Sequence, residues 1–144
     1  MPVTKGPALP PGMLLLGWSG VLPFAGAIVL AMVAPRWHTL ALSAFVAYGA
    51  VILSFLGGAR WGSGLVTGAA PLRYLEAVLP SLIGFVALLF LHNAPIAIGL
   101  LMAGFAIWLL LDLRDPVWSP AYRRMRLAIS IVVLALHALW VVFW

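Results

Sequence analysis

The sequence predicts an all-α integral membrane protein: a five-helix transmembrane bundle with the N-terminus inside and the C-terminus outside. Hydrophobic residues make up 65% of the chain and charged residues only 8%, whereas a soluble domain carries about 25% charged residues. The mean hydropathy of +1.18 indicates that most of the folded surface faces lipid. Five apolar runs of about 20 residues, the length that crosses a bilayer, fit into 144 residues with short loops.

The chain divides into an irregular N-terminal tail over residues 1–12 and a single transmembrane domain over residues 13–144. The predicted spans are about 13–34, 39–56, 74–91, 95–111 and 120–144. The second helix is expected to extend toward Val66. Ser119 and Pro120 are a suitable N-cap and first residue for the fifth helix. Each run is apolar nearly all round, as a membrane span should be.

Two predicted spans contain an internal proline, Pro23 in the first and Pro80 in the third. A proline has no N–H to donate, so each frees the carbonyl four residues earlier, at Ser19 and Glu76. Membrane helices tolerate this when neighbouring groups satisfy the freed carbonyl. Both helices are therefore expected to need a nearby hydrogen-bond donor.

The basic residues predict the orientation. Seven fall on one side of the predicted bundle and only Arg36 on the other: Lys5, Arg60, Arg73, Arg114, Arg123, Arg124 and Arg126. Because basic residues favour the cytoplasmic side, the N-terminus should be cytoplasmic and the C-terminus external. Arginine outnumbers lysine, and alanine and glycine are plentiful, as in proteins from GC-rich bacterial genomes. The expected location is the bacterial inner (plasma) membrane, as a multi-pass protein.

Several classes of function lack support. The chain has no cysteine, which excludes disulfides, thiolate metal sites and thiol nucleophiles. It has no phosphate-binding loop, no GxSxG nucleophile elbow and no hydrolase-like carboxylate pair. Nucleic-acid binding would need a soluble basic surface that this chain is too apolar to provide. We therefore expect no enzymatic activity, no cofactor and no nucleic-acid partner.

Small residues recur at a spacing of four in the second span, at Ser54, Gly58 and Gly62. This spacing places them on one helical face, where small side chains let a neighbouring helix approach closely. The pattern predicts a helix-packing face. The alternative is that the glycines make room for a ligand or partner beside Arg60 and Trp61.

Charged residues cluster at the cytoplasmic ends of the predicted spans. The candidates for an ion-pair network, or for binding a lipid phosphate or another anion, are Arg60, Trp61, Arg73, Glu76, Asp112, Arg123 and Arg124, with Arg114, Asp115 and Arg126 at the same depth. Carboxylates near lipid need partners, and arginine can bind them through two parallel hydrogen bonds. Proton-coupled transport through Glu76 or Asp112 is a further alternative.

Histidines are weak candidates for a metal site. His38 and His92 lie in predicted outer loops, and His137 lies in the outer half of the fifth span. Three imidazoles can bind zinc or haem iron, but no HxxxH or HExxH spacing supports such a site. The arginines Arg123 and Arg126 share a helical face with Ser130 and His137, and this stripe is expected to face the bundle interior.

Five fragments together resemble the transmembrane-protein-sixty-nine-like family. They are LGWSGVLPF (16–24), YGAVILSFLGGARWG (48–62), VLPSLIG (78–84), LLD (110–112) and YRRMRL (122–127). The resemblance covers nearly all of the chain from Met13 onward, and residues 48–62 are its most specific part. It implies a five-helix protein of bacterial inner or mitochondrial membranes, in a family of unestablished function, and it brings no catalytic residues.

The leading hypothesis is a non-enzymatic accessory, assembly or structural subunit that acts within the membrane. Its expected partners are membrane lipids and either another membrane protein or further copies of itself. The rival is a small transporter or anionic-lipid-binding protein that uses the cytoplasmic basic cluster. That rival predicts a cavity lined by Arg60, Trp61, Glu76 and Asp112.

Overall fold

A computed structural model describes residues 8–143, which form helices and short connections without a β-strand. The helices are α1 (Pro11–Ser19), α2 (Leu22–Val33), α3 (His38–Thr67), α4 (Pro71–Leu89), α5 (Ala94–Arg114) and α6 (Pro120–Phe143), with a 3-10 turn at Pro35–Trp37. They make five segments long and apolar enough to cross a membrane, and α1 and α2 together form the first. The predicted all-α, five-span fold is confirmed, and its orientation stays a prediction.

The helix ends differ from the predicted spans by a few residues. The first helix begins at Pro11, so the irregular tail is shorter than expected; residues 1–7 and Trp144 lie outside the described residues. Helix α3 continues to Thr67, as expected from the apolar pattern, and stops at Gly68 with φ 65°. Only glycine adopts this left-handed conformation without a Cβ clash. The hydroxyl of Ser119 accepts the Tyr122 N–H at 3.2 Å, which is the predicted N-cap.

The first span is broken at its proline instead of continuing through it. Helix α1 ends at Ser19 and α2 begins at Leu22, so Pro23 lies in a first turn, where its missing N–H leaves no bond unmade. At the break the Tyr48 hydroxyl, from α3, donates to the Gly20 carbonyl at 2.9 Å. Pro80, by contrast, lies inside the continuous helix α4.

Helix α3 is the centre of the bundle and packs against α2, α4 and α5. Two approaches to α4 leave no room for side chains. A Cβ added to Gly57 would overlap the Ala77 carbonyl, and one added to Gly84 would lie 3.0 Å from the Ala50 backbone. Small residues therefore set the separation of these helices, as is usual between membrane helices.

The predicted packing face at Ser54, Gly58 and Gly62 is not used for close packing between the described helices of this chain, and its use toward a partner helix stays a prediction. Gly58 and Gly62 are exposed, and a Cβ added to either would meet nothing within 4 Å. The Ser54 hydroxyl donates to the Ala50 carbonyl of its own helix at 2.8 Å. The contact with α4 lies one residue away, at Gly57. A helix that is apolar all round carries no polar face from which the buried side can be identified.

Candidate functional site

The arginine-rich end of the bundle contains a network of ion pairs, called here the charge network. It consists of three arginines and three carboxylates: Arg60, Arg73, Arg126, Glu76, Asp112 and Asp115. These side chains come from α3, α4, α5, the residue after α5, and α6. Sequence-distant helix ends therefore meet at one depth, as the positions of the charged residues predict.

Arg60 is the hub of the network and is 6% exposed. Its Nε and Nη2 donate to the same oxygen, Oε2 of Glu76, at 3.0 Å and 2.7 Å. Its Nη1 donates to Asp115 Oδ2 at 3.3 Å and lies 3.6 Å from Asp112 Oδ1. One guanidinium thus contacts all three carboxylates, and the expected pair of parallel bonds is replaced by a fork onto one oxygen.

Asp115 turns back into the bundle from the start of the α5–α6 connection. Arg73 Nη1 donates to its Oδ2, which also accepts from Arg60. Its Oδ1 accepts the Val117 N–H at 3.0 Å, which fixes the turn that follows. The second arm of Arg73 donates to Ser63 Oγ at 2.6 Å. Asp115 is therefore bound from α3, α4 and its own loop.

Arg126 joins α6 to the same network. Its Nε donates to Asp112 Oδ2 at 3.1 Å, and its Nη1 donates to Ser130 Oγ at 3.3 Å. Arg126 is 7% exposed. The stripe of Arg123, Arg126, Ser130 and His137 was expected to face the interior. The last three are buried, whereas Arg123 is only half-buried.

The network is electrically balanced. Its three carboxylates are the chain's whole complement of acidic side chains, and three arginines neutralise them. An unpaired charge would be very costly at this depth, and removing one member of a buried pair typically costs about 3–5 kcal/mol. The arrangement therefore links four helices, because every charge in it depends on partners from other elements.

Three predicted members lie outside the network. Trp61 is 42% exposed and packs edge-on against Tyr74, with ring centroids 4.9 Å apart. Arg123 donates to the Leu113 carbonyl at the end of α5 at 3.2 Å. Arg124 is exposed and has no hydrogen bond or ion pair within residues 8–143. Of the four side chains that the transporter hypothesis assigned to a cavity, Arg60, Glu76 and Asp112 belong to the network, whereas Trp61 packs against Tyr74.

The histidines do not converge. His137 is fully buried, its Nδ1 lies 2.7 Å from the Val133 carbonyl oxygen, and its ring packs against Phe24 and Phe45. The ring of His38 packs against Trp140, whereas His92 is exposed. In the described part of the chain, no group of three or more histidine, cysteine or acidic side chains could hold a metal ion.

Sequence reasoning placed Asp115 and Arg126 at the correct depth but did not single them out as site residues. For Arg126 the signal was present, because Ser130 and His137 share its helical face. For Asp115 no periodic signal exists, because it follows the last residue of α5 and its direction depends on the loop.

Comparison with known proteins gives two similarities. A family model described as "Protein of unknown function (DUF3429)" matches residues 9–142. The chain is also 35% identical over 128 residues to transmembrane protein 69 of Xenopus tropicalis, a match that covers 85% of this chain and 51% of that protein. The chain thus spans about half the length of this curated relative. No solved structure matches it.

Proposed function

The chain belongs to the DUF3429 family of proteins of unknown function, and on that premise we propose that it is a non-enzymatic accessory, assembly or structural subunit acting within the membrane. The observation that carries the proposal is that all three acidic side chains are bound by arginines in the charge network. We further propose that it resides in the bacterial inner membrane, because its excess of arginine over lysine and its many alanines and glycines are typical of GC-rich bacterial genomes.

The charge network supports a structural role because its carboxylates are bound by arginines from neighbouring helices. The carboxylates of Asp112 and Asp115 are 7% and 4% exposed, and each contacts two arginines. The two adjacent guanidinium groups compensate the charge of each buried carboxylate, and removing one partner of such a pair is costly. The network is therefore suited to holding four helices together.

Helix α1 is the element best suited to contact a partner. It has no buried residue, and Leu15 and Leu16 are 72% and 73% exposed. It touches α6 at Gly17, beside Met125 and Ile129. Lipid is as apolar as a partner helix. A well-fitting partner helix can therefore replace lipid on this face of α1 at little cost in free energy.

Photo-crosslinking in native membranes tests this proposal. A photoreactive amino acid is placed at Leu16, and a matched control is placed at Val66, which is 89% exposed on α3 near the same end of the bundle. We expect position 16 to form a discrete protein adduct, either with another membrane protein or with a second copy of the chain. Position 66 should react mainly with lipid.

Purification in several mild detergents supplies an independent measurement. A stable partner or homo-oligomer should co-purify with the chain. Recovery of only the free protein, together with lipid adducts alone at position 16, would remove the basis of the proposal.

A transporter is the second candidate, and one observation favours it: the side chain of Glu76 is 27% exposed, so it is the most accessible of the three carboxylates. If the protein carries protons, reconstituted vesicles should show a proton flux that Glu76→Gln abolishes. A flux absent from the unmodified protein, or unchanged in this variant, would argue against the transporter.

A further inference from the structure

The six arginines at this end of the bundle fall into two populations. Three are neutralised inside the charge network, and three others surround the α5–α6 connection: Arg114, Arg123 and Arg124. We call this second group the cationic rim. Arg114 and Arg124 are exposed, and neither has a hydrogen bond or ion pair to any residue between 8 and 143.

The turn between α5 and α6 gives the rim more positive charge than its sequence indicates. Asp115 is the sole acidic residue between Arg114 and Arg124, but its carboxylate points inward to Arg60 and Arg73. The Asp115 charge is therefore paired with arginines in α3 and α4 and does not offset the rim. The outer surface of residues 114–124 carries three positive charges and no negative charge to offset them.

Aromatic side chains lie within the same segment. The rings of Trp118 and Tyr122 are stacked, with centroids 4.6 Å apart. Tryptophan and tyrosine are enriched at the level of lipid headgroups, because one end of each ring system is apolar and the other polar. Arg123 is fixed beside them by its bond to the Leu113 carbonyl at 3.2 Å. Aromatic and cationic groups thus share one interfacial segment.

We propose that the cationic rim is an interaction surface for anionic phospholipid headgroups. Charge complementarity selects the occupant: arginine binds phosphate through charge-assisted hydrogen bonds, and the adjoining aromatic rings suit the headgroup layer of a lipid better than a soluble anion. This assignment is independent of the proposed accessory role. It also moves the basic surface away from Arg60, whose charge is already neutralised.

The test measures lipid binding to the purified full chain in non-ionic detergent by native mass spectrometry. Phosphatidylglycerol and phosphatidylcholine with identical acyl chains are titrated separately. Each arginine near a headgroup layer contributes about fivefold in affinity for anionic lipid. Replacing two of them, Arg114→Gln with Arg124→Gln, should therefore lower the preference for phosphatidylglycerol by about 25-fold.

Arg36→Gln is the matched control, because Arg36 is an exposed arginine beside an aromatic ring, 5.6 Å from the Trp37 centroid, at the opposite end of the bundle. It should leave most of the preference intact. A loss as large as that of the double variant, or equal binding of both lipids by the unmodified chain, would overturn the proposal.

Two further arms use the unmodified protein and so do not depend on the folding of a variant. Raising the salt concentration should weaken phosphatidylglycerol binding and leave phosphatidylcholine binding unchanged, since exposed charges are screened. Inorganic phosphate alone should give no stable adduct. A salt-independent preference, or phosphate binding that matches the lipid, would refute a lipid-headgroup surface.

Discussion

The closest approach between α3 and α4 can be tested with two adjacent glycines. At Gly57 an added Cβ would overlap the Ala77 carbonyl and lie 3.3 Å from Pro80 Cγ. A backbone carbonyl cannot rotate aside, so Gly57→Ala must push the two helices apart. At Gly58 the same methyl group meets nothing within 4 Å. Gly58→Ala therefore supplies a control with the same chemical change, one residue away.

The two variants are expected to change the free energy of unfolding in opposite directions. Alanine is favoured over glycine inside a helix by about 0.5–1 kcal/mol, and Gly58→Ala should gain up to that amount. Overpacking costs about 1–3 kcal/mol, so Gly57→Ala should be less stable than the unmodified protein. Unfolding in mixed detergent micelles, followed by circular dichroism, measures both free energies. Equal stability of the two variants, or a loss confined to Gly58→Ala, would refute the helix register described here.

Three further predictions concern other parts of the bundle. Tyr48→Phe removes the donor to the Gly20 carbonyl and should lower the free energy of unfolding by about 0.5–1.5 kcal/mol. An unchanged free energy would mean that this bond does not support the break in the first span. Asp115→Asn should lower the free energy of unfolding by about 3–5 kcal/mol. This loss should exceed that of Glu76→Gln, because the Asp115 side chain is 4% exposed and that of Glu76 is 27%. The reverse order in the same unfolding assay would contradict the burial pattern. A reporter fused after Trp144 should be active in a periplasmic assay, and cytoplasmic activity would reverse the predicted orientation.

The fold could be predicted because the amino-acid composition and the length of the apolar runs largely determine it. Five apolar runs separated by prolines, glycines and charges leave few arrangements for a chain of this length in lipid. The break in the first span was harder to predict. Proline removes one hydrogen bond, but whether the helix kinks or ends depends on a partner such as the Tyr48 hydroxyl, which lies 28 residues further along the chain.

The candidate site was only partly predictable. The contact of Arg60 with Glu76 and Asp112 could be predicted from their shared depth in the membrane, because carboxylates near lipid require cations. Depth alone could not separate Arg126, which faces the interior, from Arg124, which faces outward two residues earlier. The glycine that α4 approaches could not be identified for a similar reason: Gly57 and Gly58 are adjacent glycines, and only the contacts of Gly57 with Ala77 and Pro80 distinguish them.

Arg60 and its carboxylate partners form one coupled, buried network. A double-mutant cycle with Arg60→Lys, Glu76→Gln and the combined variant tests it most directly, by chemical unfolding in detergent. Lysine has a single ammonium group and cannot reproduce the two bonds to Glu76 together with the bond to Asp115. We expect each single variant to be destabilised and the double variant to be less damaged than the sum, with a coupling energy of about 1–3 kcal/mol. Additive effects, or full stability of Arg60→Lys, would contradict the network.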